Sequence, residues 1–595
     1  MTRETLITGA SRVLTVGAVV ALIGILPWLS GRSPELTILR ARSAEQEATP
    51  EALASIRGQL GLDAGPLTLF GRWLGGLLTG DPGTSWISGR PVLPGVLSAL
   101  GVSLTLMVFA VAVAAVLAVL LALPAVARGL RGTAGPASGA WGAAFTALPE
   151  FLLAALLLVT GAVWLGLFPP YGWQGPQHAV LPALALGLPA GGLIGRLLAD
   201  ALSATFTERW LATWQVAGFS RTRIAAAVAR RTLPALVPQI GLVLVGLTGG
   251  AVAVEQVFAI PGLGRATLSA AAAQDLPALQ LGVLALLGVA VAAGAGAGLI
   301  RRVLLGRALR SGDLPVPSPA AAGGRRQWVV PAGSAAVLAL VVTAGLLRDP
   351  FTSAHDRLAP PSWALPFGAD ASGRDLLARV GHGALLTAGT ALAVVLVSLA
   401  VGVLIGLFPR LSTGPAEVTN AAPPVIAGLV VAAVAGPSVA GAAIAVTIVS
   451  WAPLAAHTAA LAVEARAQPY VRILPVLGVG PARLLVRHVL PAVLGPVFRH
   501  AMLRLPGVAL ALAALGFLGL GPQPPSPEWG LLLAEGLAYV ERAPWAVLVP
   551  TGVLVLTSVL AVSLSSVSGP AGGRRRGAPP RDADPPSAPE AEAAR

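Results

Sequence analysis

The chain has 595 residues, of which 55% are hydrophobic and only 11% are charged, and its formal net charge is +14. Soluble globular proteins carry roughly 25% charged residues, so this composition excludes a soluble fold for most of the length. The sequence contains neither Cys nor Lys, which excludes disulfides, thiolate metal sites and an ATP-binding P-loop, because that loop needs a lysine to reach the phosphates.

Apolar runs long enough to cross a bilayer, about 20 residues each, recur along the whole chain. A first set covers residues 13–29, 97–123, 143–168, 180–198, 236–257 and 276–300, and a second covers 329–347, 385–408, 421–435, 439–463, 493–520 and 545–567. We therefore predict an all-α integral membrane protein with about twelve transmembrane helices. The shortest run, 421–435, follows two prolines, and the first run is expected to be a retained anchor rather than a cleaved signal peptide.

Arginine residues collect in stretches that fall on one side of the membrane if the spans alternate. These stretches are 128–131, 196–231, 301–326, 466–504 and 574–576, and the loops on the other side are much less basic. The positive-inside rule then predicts a multi-pass protein of the inner (plasma) membrane with both termini in the cytoplasm. Arginines placed between apolar runs, without a basic stripe and interleaved aromatics, argue against a nucleic-acid partner and leave membrane lipid as the surrounding partner.

The chain divides into two halves, 1–300 and 328–568, that follow the same plan. Each half has one span, a long external segment (31–95 or 348–383) and five further spans, with a basic cytoplasmic loop after the fourth. Because each half has an even number of spans, the two six-helix halves are expected to be parallel repeats. A linker rich in Pro, Gly and Arg (301–327) joins them, and the polar, Pro-rich tail 569–595 is expected to be disordered and cytoplasmic.

The two basic loops, 208–234 and 468–491, repeat one pattern: an aromatic residue, a glycine eight residues later, an amphipathic stretch and a Leu-Pro pair. Glycine allows a sharp turn between two short helices, and proline fits the first turn of the helix that re-enters the membrane. The Leu-Pro pair lies three residues further from the glycine in the first loop than in the second. The candidate residues are Trp210, Ala217, Gly218, Ile224, Leu233 and Pro234, and Tyr470, Leu477, Gly478, Leu484, Leu490 and Pro491.

Four further strings distinguish the two halves. The first half contains GQLGLDAGPLTLFGRWLGGLLTGDPGTS (58–85) and VEQVFAIPGLGRATL (254–268), and the second contains LAPPSWALPFGADASGRDLLARVGHGA (358–384) and LGFLGLGPQPPSPEWGLLLAEG (515–536). With these strings and the two loops, nearly the whole chain resembles the permease subunits of ABC importers of the dipeptide/oligopeptide/nickel family. The first half resembles the B-type permease and the second the C-type permease, which implies the ABC importer type I permease fold in one fused chain.

The resemblance implies roles for the candidate residues. The two loops would form coupling helices that dock on two ABC ATPase subunits on the cytoplasmic side. An extracytoplasmic solute-binding protein would deliver peptides or related small solutes, and the chain itself would not be an enzyme. The candidates for docking or gating on the external side are Asp81, Phe367, Gly368, Asp370, Gly373, Arg374 and Asp375. A structural hinge with local salt bridges is the alternative for the Gly-Arg-Asp cluster, and no substrate-binding residue, cofactor or metal is assigned.

Two other classes of protein stay open at this point. A proton-coupled carrier with twelve spans is the first alternative, but a proton relay needs ionisable residues within the membrane, and in the first half only Glu150 and Glu255 qualify. An integral membrane enzyme is the second. Its metal chemistry is disfavoured because the six histidines are scattered and form no His-x-x-x-His pair.

Overall fold

The computed structural model describes residues 3–29, 34–42, 47–133, 144–145, 148–305, 328–420 and 423–566. Most of the predicted linker and the whole predicted tail, 569–595, lie outside these residues. Apart from three isolated β-bridges, the described residues form helices and loops.

Twelve α-helices of four or more residues lie within the described residues of the first half. They are α1 (Arg3–Gly24), α2 (Leu26–Leu29), α3 (Pro34–Arg42), α4 (Pro50–Leu60), α5 (Pro66–Thr79), α6 (Val92–Leu130), α7 (Glu150–Leu157), α8 (Pro176–Thr205), α9 (Arg209–Val216), α10 (Arg221–Val257), α11 (Leu263–Ala272) and α12 (Leu276–Leu305). A 3₁₀ turn, Leu62–Ala64, follows α4, and α7 continues as a π-helix, Leu158–Trp164.

The second half contains ten α-helices within the described residues. They are α13 (Val329–Leu346), α14 (Leu376–Gly406), α15 (Pro409–Asn420), α16 (Pro424–Ala435), α17 (Val439–Ala467), α18 (Pro469–Ile473), α19 (Pro481–Leu484), α20 (Leu490–Phe517), α21 (Trp529–Leu537) and α22 (Trp545–Ser566). A π-helix, Leu485–Val489, joins α19 to α20.

Nine helices among the described residues are long and apolar enough to cross a membrane. They match nine of the twelve predicted runs. The other three runs correspond to shorter or interrupted segments: Leu14–Gly24, Glu150–Trp164, and the bent pair Gly414–Asn420 and Pro424–Ala435. Prolines account for two of these interruptions, because Pro149 precedes α7 and Pro423 precedes α16. The all-α membrane fold is confirmed.

The tightest helix packing in the first half joins α6 to α8 through a stripe of small residues. Gly187, Gly191 and Gly195 are spaced four apart on α8 and lie over alanines on α6. A Cβ atom on Gly191 would lie 2.7 Å from the carbonyl oxygen of Ala114, and one on Gly187 would lie 2.7 Å from that of Ala110. Within a membrane, small residues at this spacing let two backbones approach closely, since lipid provides no hydrophobic force between helices.

The second half repeats this arrangement between α14 and α17, which are again its second and fourth spans. A Cβ atom on Gly406 of α14 would lie 2.5 Å from the carbonyl oxygen of Ala455. The repeat that the sequence predicts is therefore also a repeat of helix packing.

The two halves meet along their third spans. Helix α7 packs against α22 of the second half, and α16 packs against α10, α11 and α12 of the first. Phe151 and Phe517 place their ring centroids 5.6 Å apart across this boundary. A Cβ atom on Gly249 would lie 2.7 Å from the Cβ of Pro423, so the backbone of α10 approaches the second half directly. The third span of each half therefore also packs against the final helices of the other half.

Candidate functional site

The first loop forms a short helix, a glycine turn and the start of the long helix α10. Gly218 adopts a φ of 73°, which L-residues with a side chain rarely adopt, and it reverses the chain after α9. The hydroxyl oxygen of Ser220 then accepts a hydrogen bond from the backbone N–H of Arg223 and caps α10. The predicted turn between two helices is present at the predicted glycine.

One face of this loop is fixed against the ends of α6 and α8. Leu211, Ile224 and Val228 are buried in a cluster with Leu202 and Phe206. Trp210 packs on the same cluster, and its indole N–H donates to Glu208 at 2.6 Å. Glu208 also pairs with Arg231 at 2.7 Å, which links the start of the loop to α10. The buried Ile224 and the half-buried Trp210 therefore contribute to holding the loop in place.

The second loop has the same build with different side chains. Gly478 adopts a φ of 84°, and Val471 occupies the buried position that Leu211 occupies in the first loop. In both loops the residue after the glycine donates its N–H to the carbonyl oxygen five residues earlier: Phe219 to Trp214 at 3.1 Å and Val479 to Leu474 at 3.0 Å. The two loops thus share a backbone conformation as well as a sequence pattern.

The Leu-Pro pairs do not occupy equivalent positions. Pro234 lies inside the continuous helix α10, whereas Leu490 and Pro491 begin α20 directly after the π-helix. The π-helix contains one extra residue per turn, so the buried Val489 lies eleven residues after its glycine and the matching Val228 lies ten after its own. The expectation that Leu233 and Pro234 open a new helix is wrong, because neighbouring helices in a bundle tolerate proline within a span.

The other face of each loop is exposed and apolar at the same place. Val216, two residues before Gly218, is 90% exposed, and Val476, two residues before Gly478, is 84% exposed. Ala217 is also exposed, and its counterpart Leu477 is 70% exposed. Tyr470 is exposed as well, unlike Trp210. Each loop therefore presents a small apolar knob at its turn, and the second knob is larger. We call these the first knob (Val216 and Ala217) and the second knob (Val476 and Leu477).

The predicted external cluster forms a buried network of charged residues. Arg379 is 0% exposed and donates to Asp370 at 2.7 Å, to Glu535 at 2.7 Å and to the carbonyl oxygen of Ser526 at 3.0 Å. Arg374 donates to the same oxygen of Asp370 at 2.7 Å. We call Asp370, Arg374, Arg379 and Glu535 the Arg379 network. Sequence reasoning did not single out Arg379 or Glu535.

The Asp370 carboxylate is held ionised by this network. Burial opposes its ionisation, but backbone N–H groups of Arg374 and Ser372 and the guanidinium groups of Arg379 and Arg374 outweigh burial and lower its pKa below the ordinary value. Asp375 caps α14 through the N–H groups of Leu377 and Ala378, and it also pairs with Arg348 at 2.8 Å.

These contacts bear on the candidates for external docking or gating. Asp370, Arg374 and Asp375 are buried, so their side chains do not offer a surface on which a partner could dock, and a structural or gating role is what their geometry permits. Gly368 and Gly373 both have a φ of 77° and make the turns that bring the cluster together.

The remaining two candidates differ in exposure. Phe367 is half-buried against α22, whereas Asp81 is exposed and accepts one hydrogen bond from the N–H of Gly83 at 3.2 Å. Asp81 is thus the one of the seven candidates whose charge faces outward from the described structure.

A cavity of about 740 Å³ lies between the two halves, and the sequence did not reveal it. Helices α7 and α10 line it from the first half, and α16, α17, α20 and α22 line it from the second. Two charged side chains border it, Glu150 and Arg504, along with polar Asn420 and Ser450. The sequence signal for Glu150 is a carboxylate within an apolar run. Arg504 is the last arginine of the basic stretch 466–504 and lies within the predicted span 493–520, and the sequence does not distinguish it from the other arginines of that stretch.

Comparison with known proteins identifies the family. The family model for the binding-protein-dependent transport system inner membrane component matches residues 116–310 and 398–571. Over 221 residues, the chain is 38% identical to the di/tripeptide transport system permease protein DppC of Pseudomonas aeruginosa, covering 35% of this chain and 73% of that protein. The dipeptide transport system permease proteins DppC of Haemophilus influenzae and Escherichia coli are 32% and 36% identical, over 75% and 73% of their lengths.

These matches favour transport that depends on a binding protein over the proton-coupled carrier. They also agree with the repeated helix packing, since both matched segments cover the third to sixth predicted spans of their halves. The chain belongs to the family of inner membrane components of binding-protein-dependent transport systems, and it carries the family's domain twice.

Proposed function

We propose that this chain is the complete membrane-spanning part of an ATP-driven importer of short peptides. Support for peptides as substrates comes from the relatives, whose names describe dipeptide or di/tripeptide transport. In this proposal a B-type half (1–300) and a C-type half (328–568), joined by the linker 301–327, enclose the substrate path between them.

The single observation that carries the energy-coupling part of the proposal is the pair of apolar knobs. Val216 and Val476 occupy matching positions on two loops with the same backbone turn, and both are almost fully exposed. Exposed apolar side chains on a rigid turn favour burial in a partner's groove, and each such side chain contributes about 1.5–3 kcal/mol when fully buried. We assign the grooves to two ABC ATPase subunits, because the chain lacks the lysine of an ATP-binding loop.

Orientation follows from the same assignment. ATPase subunits are cytoplasmic, so both knobs, the linker and both termini would lie in the cytoplasm, as the arginine distribution predicts. The external segments 31–95 and 348–383 would then receive an extracytoplasmic solute-binding protein. The Arg379 network would keep the second of these segments rigid beneath that partner.

A co-purification experiment tests the ATPase contact. The chain is co-expressed with the ATPase subunits encoded beside it, and complex formation is compared for Val216→Asp, Leu477→Asp and the double variant. Leu67→Asp is the matched control, because Leu67 is 84% exposed on α5, within the predicted external segment. A charge in the groove should weaken association at least tenfold per knob, since tenfold corresponds to about 1.4 kcal/mol. Unchanged association of the double variant would refute the assignment.

A further inference from the structure

The cavity between the halves is bordered by one acid and one base that come from opposite halves. Glu150 begins α7 in the first half, and Arg504 lies in the middle of α20 in the second. At about 740 Å³, the cavity has the size of a small-molecule site, which typically holds about 300–1,000 Å³.

Glu150 lies beside Gly250 of α10, next to the place where α10 meets the second half. A Cβ atom on Gly250 would lie 3.2 Å from the Cδ of Glu150, so the carboxyl group lies against bare backbone. The neighbouring Gly249 contacts Pro423 of the second half. The acid is therefore fixed beside the contact between the halves, and no basic residue that the structure describes forms an ion pair with it.

Arg504 also lacks an ionic partner within the described part of the chain. Its Nε atom is buried and makes no hydrogen bond there. A buried N–H group without a hydrogen-bond partner is costly because the surrounding protein does not replace its lost hydration. Ionisable residues within membrane spans are commonly retained for contact with a substrate or an ion.

The two charges break the repeat of the halves. Glu150 follows Pro149 at the start of the third span, whereas in the second half Pro424 follows Pro423 at that place. The first half therefore supplies only the negative charge and the second only the positive charge. The cavity has opposite charge on its two sides, and neither charge is neutralised by the other within 4 Å.

We infer that this cavity binds a zwitterionic peptide, with its terminal carboxylate at the Arg504 guanidinium and its terminal ammonium at the Glu150 carboxylate. The inference rests on the proposed function and adds the recognition element for the two ends of the substrate. A ligand with both charges would satisfy both side chains at once, whereas a neutral solute would leave both unpaired. Side chains of the peptide would face the apolar remainder of the cavity, which would accept peptides with many different side chains.

Transport by the complete importer provides the first test. The chain, its ATPase subunits and its binding protein are reconstituted in proteoliposomes, and ATP-driven uptake of dialanine is measured for Arg504→Gln and Glu150→Gln. The matched control is Arg499→Gln, because Arg499 is exposed on the same helix and does not line the cavity. Each cavity variant should lose at least tenfold in uptake with ATPase association retained, while the control stays within twofold. Wild-type uptake by either cavity variant would overturn the inference.

Thiol protection provides a second readout that a purely structural role would not change. The chain has no cysteine, so Ala511→Cys introduces a single thiol on α20 that lines the cavity two turns after Arg504. Dialanine at a concentration that saturates uptake should slow labelling by a methanethiosulfonate reagent at least threefold. Dialanine with an acetylated amino group and an amidated carboxyl group should not protect, and Arg504→Gln should abolish protection.

Equal protection by the capped and free peptides, or protection that survives Arg504→Gln, would overturn the inference and leave the proposed function intact. If the wild-type importer does not accumulate dialanine with ATP, the proposed substrate class fails, and the inference fails with it. The two failures are therefore distinguished by the wild-type measurement.

Discussion

Replacing Arg379 with leucine should destabilise the second half more than any other single change in its external segment. Arg379 begins the second turn of α14 and is fully buried, with three hydrogen bonds that reach Asp370, Glu535 and the backbone of Ser526. These contacts join the external segment to the loop and helix that precede the last span. Leucine fills much of the space but supplies none of the bonds.

The magnitude follows from what the substitution leaves behind. Removing one partner of a buried ion pair typically costs about 3–5 kcal/mol, because the remaining charge stays buried without compensation. Asp370 would keep its bond from Arg374 at 2.7 Å and two backbone N–H groups. We therefore expect a loss near the lower end, about 3 kcal/mol. The pKa of Asp370, now held below its ordinary value in part by Arg379, should rise at the same time.

The assay is the free energy of unfolding of the chain in mixed micelles, measured for Arg379→Leu, Asp370→Asn and the double variant. Because the two side chains contact each other, the double variant should lose less than the two single losses added together. Arg357→Leu is the control: its guanidinium is exposed and contacts the hydroxyl group, at 2.9 Å, and the ring of Tyr539, so the loss should stay below about 1 kcal/mol. A loss for Arg379→Leu no larger than the control's would refute the reasoning.

Three further predictions concern other parts of the chain. Gly191→Val should cost about 1–3 kcal/mol of unfolding free energy by forcing α6 and α8 apart. Gly288→Val is the control and should cost little, because no atom lies within 4 Å of a Cβ at Gly288. Equal losses for the two variants would contradict close packing of α6 against α8 as the cause. Asp275→Ala should cost about 1–3 kcal/mol of unfolding free energy and make residues 83–92 more sensitive to protease. The reason is that the Asp275 carboxylate accepts hydrogen bonds from the Ser85 hydroxyl and, at 3.0 Å, from the backbone N–H of Trp86. Unchanged proteolysis would show that these two hydrogen bonds do not hold the segment in place. Burial raises the pKa of the Glu528 carboxyl, which lies between the last two spans, from 4.5 to about 7. The folded state then binds this proton more tightly than the unfolded state. The group's contribution to the free energy of unfolding, about 3 kcal/mol, is therefore complete below pH 4.5 and is lost as the pH rises to about 7. The free energy of unfolding of Glu528→Gln should not show this fall with pH, and an unchanged fall in the variant would disprove the assignment to Glu528.

Features that depend on local periodicity could be predicted from the sequence. The nine long spans, the two glycine turns and the division into two repeated halves all follow from runs of apolar residues, glycine placement and spacing. Gly218 and Gly478 illustrate this. A turn with a positive φ favours glycine, so the glycine in the sequence indicates where the turn lies. The sequence analysis does not single out the stripe of Gly187, Gly191 and Gly195, although its four-residue spacing is a local signal.

Features that depend on which distant residues meet could not be predicted. The Arg379 network joins positions more than 150 residues apart. Local salt bridges at the Gly-Arg-Asp cluster are one of the two roles that the sequence analysis offers, but the distant partner Glu535 and the burial of Asp370 and Asp375 are not indicated by the sequence. His457 and His500 were described as scattered, yet their ring centroids lie 4.7 Å apart. The cavity that Glu150 and Arg504 border is likewise formed by helices from both halves, which are distant in the sequence.

The Leu-Pro pairs show how a correct pattern can mislead about register. Leu233 and Leu490 belong to the same motif, but Leu233 lies three residues further from its glycine, and the extra residue of the π-helix before Leu490 does not account for that difference. Pro234 continues a helix that it was expected to start. A single inserted residue in a helix changes every facing side chain after it, and sequence spacing alone does not reveal where such an insertion is absorbed.

The most direct test of the whole account is uptake of labelled dialanine by proteoliposomes that contain this chain, with and without its ATPase subunits, ATP, the binding protein and a proton gradient. We expect accumulation against a gradient only when the ATPases, ATP and binding protein are all present, and no effect of a proton ionophore. Accumulation by the chain alone, driven by the ion gradient and abolished by the ionophore, would contradict it.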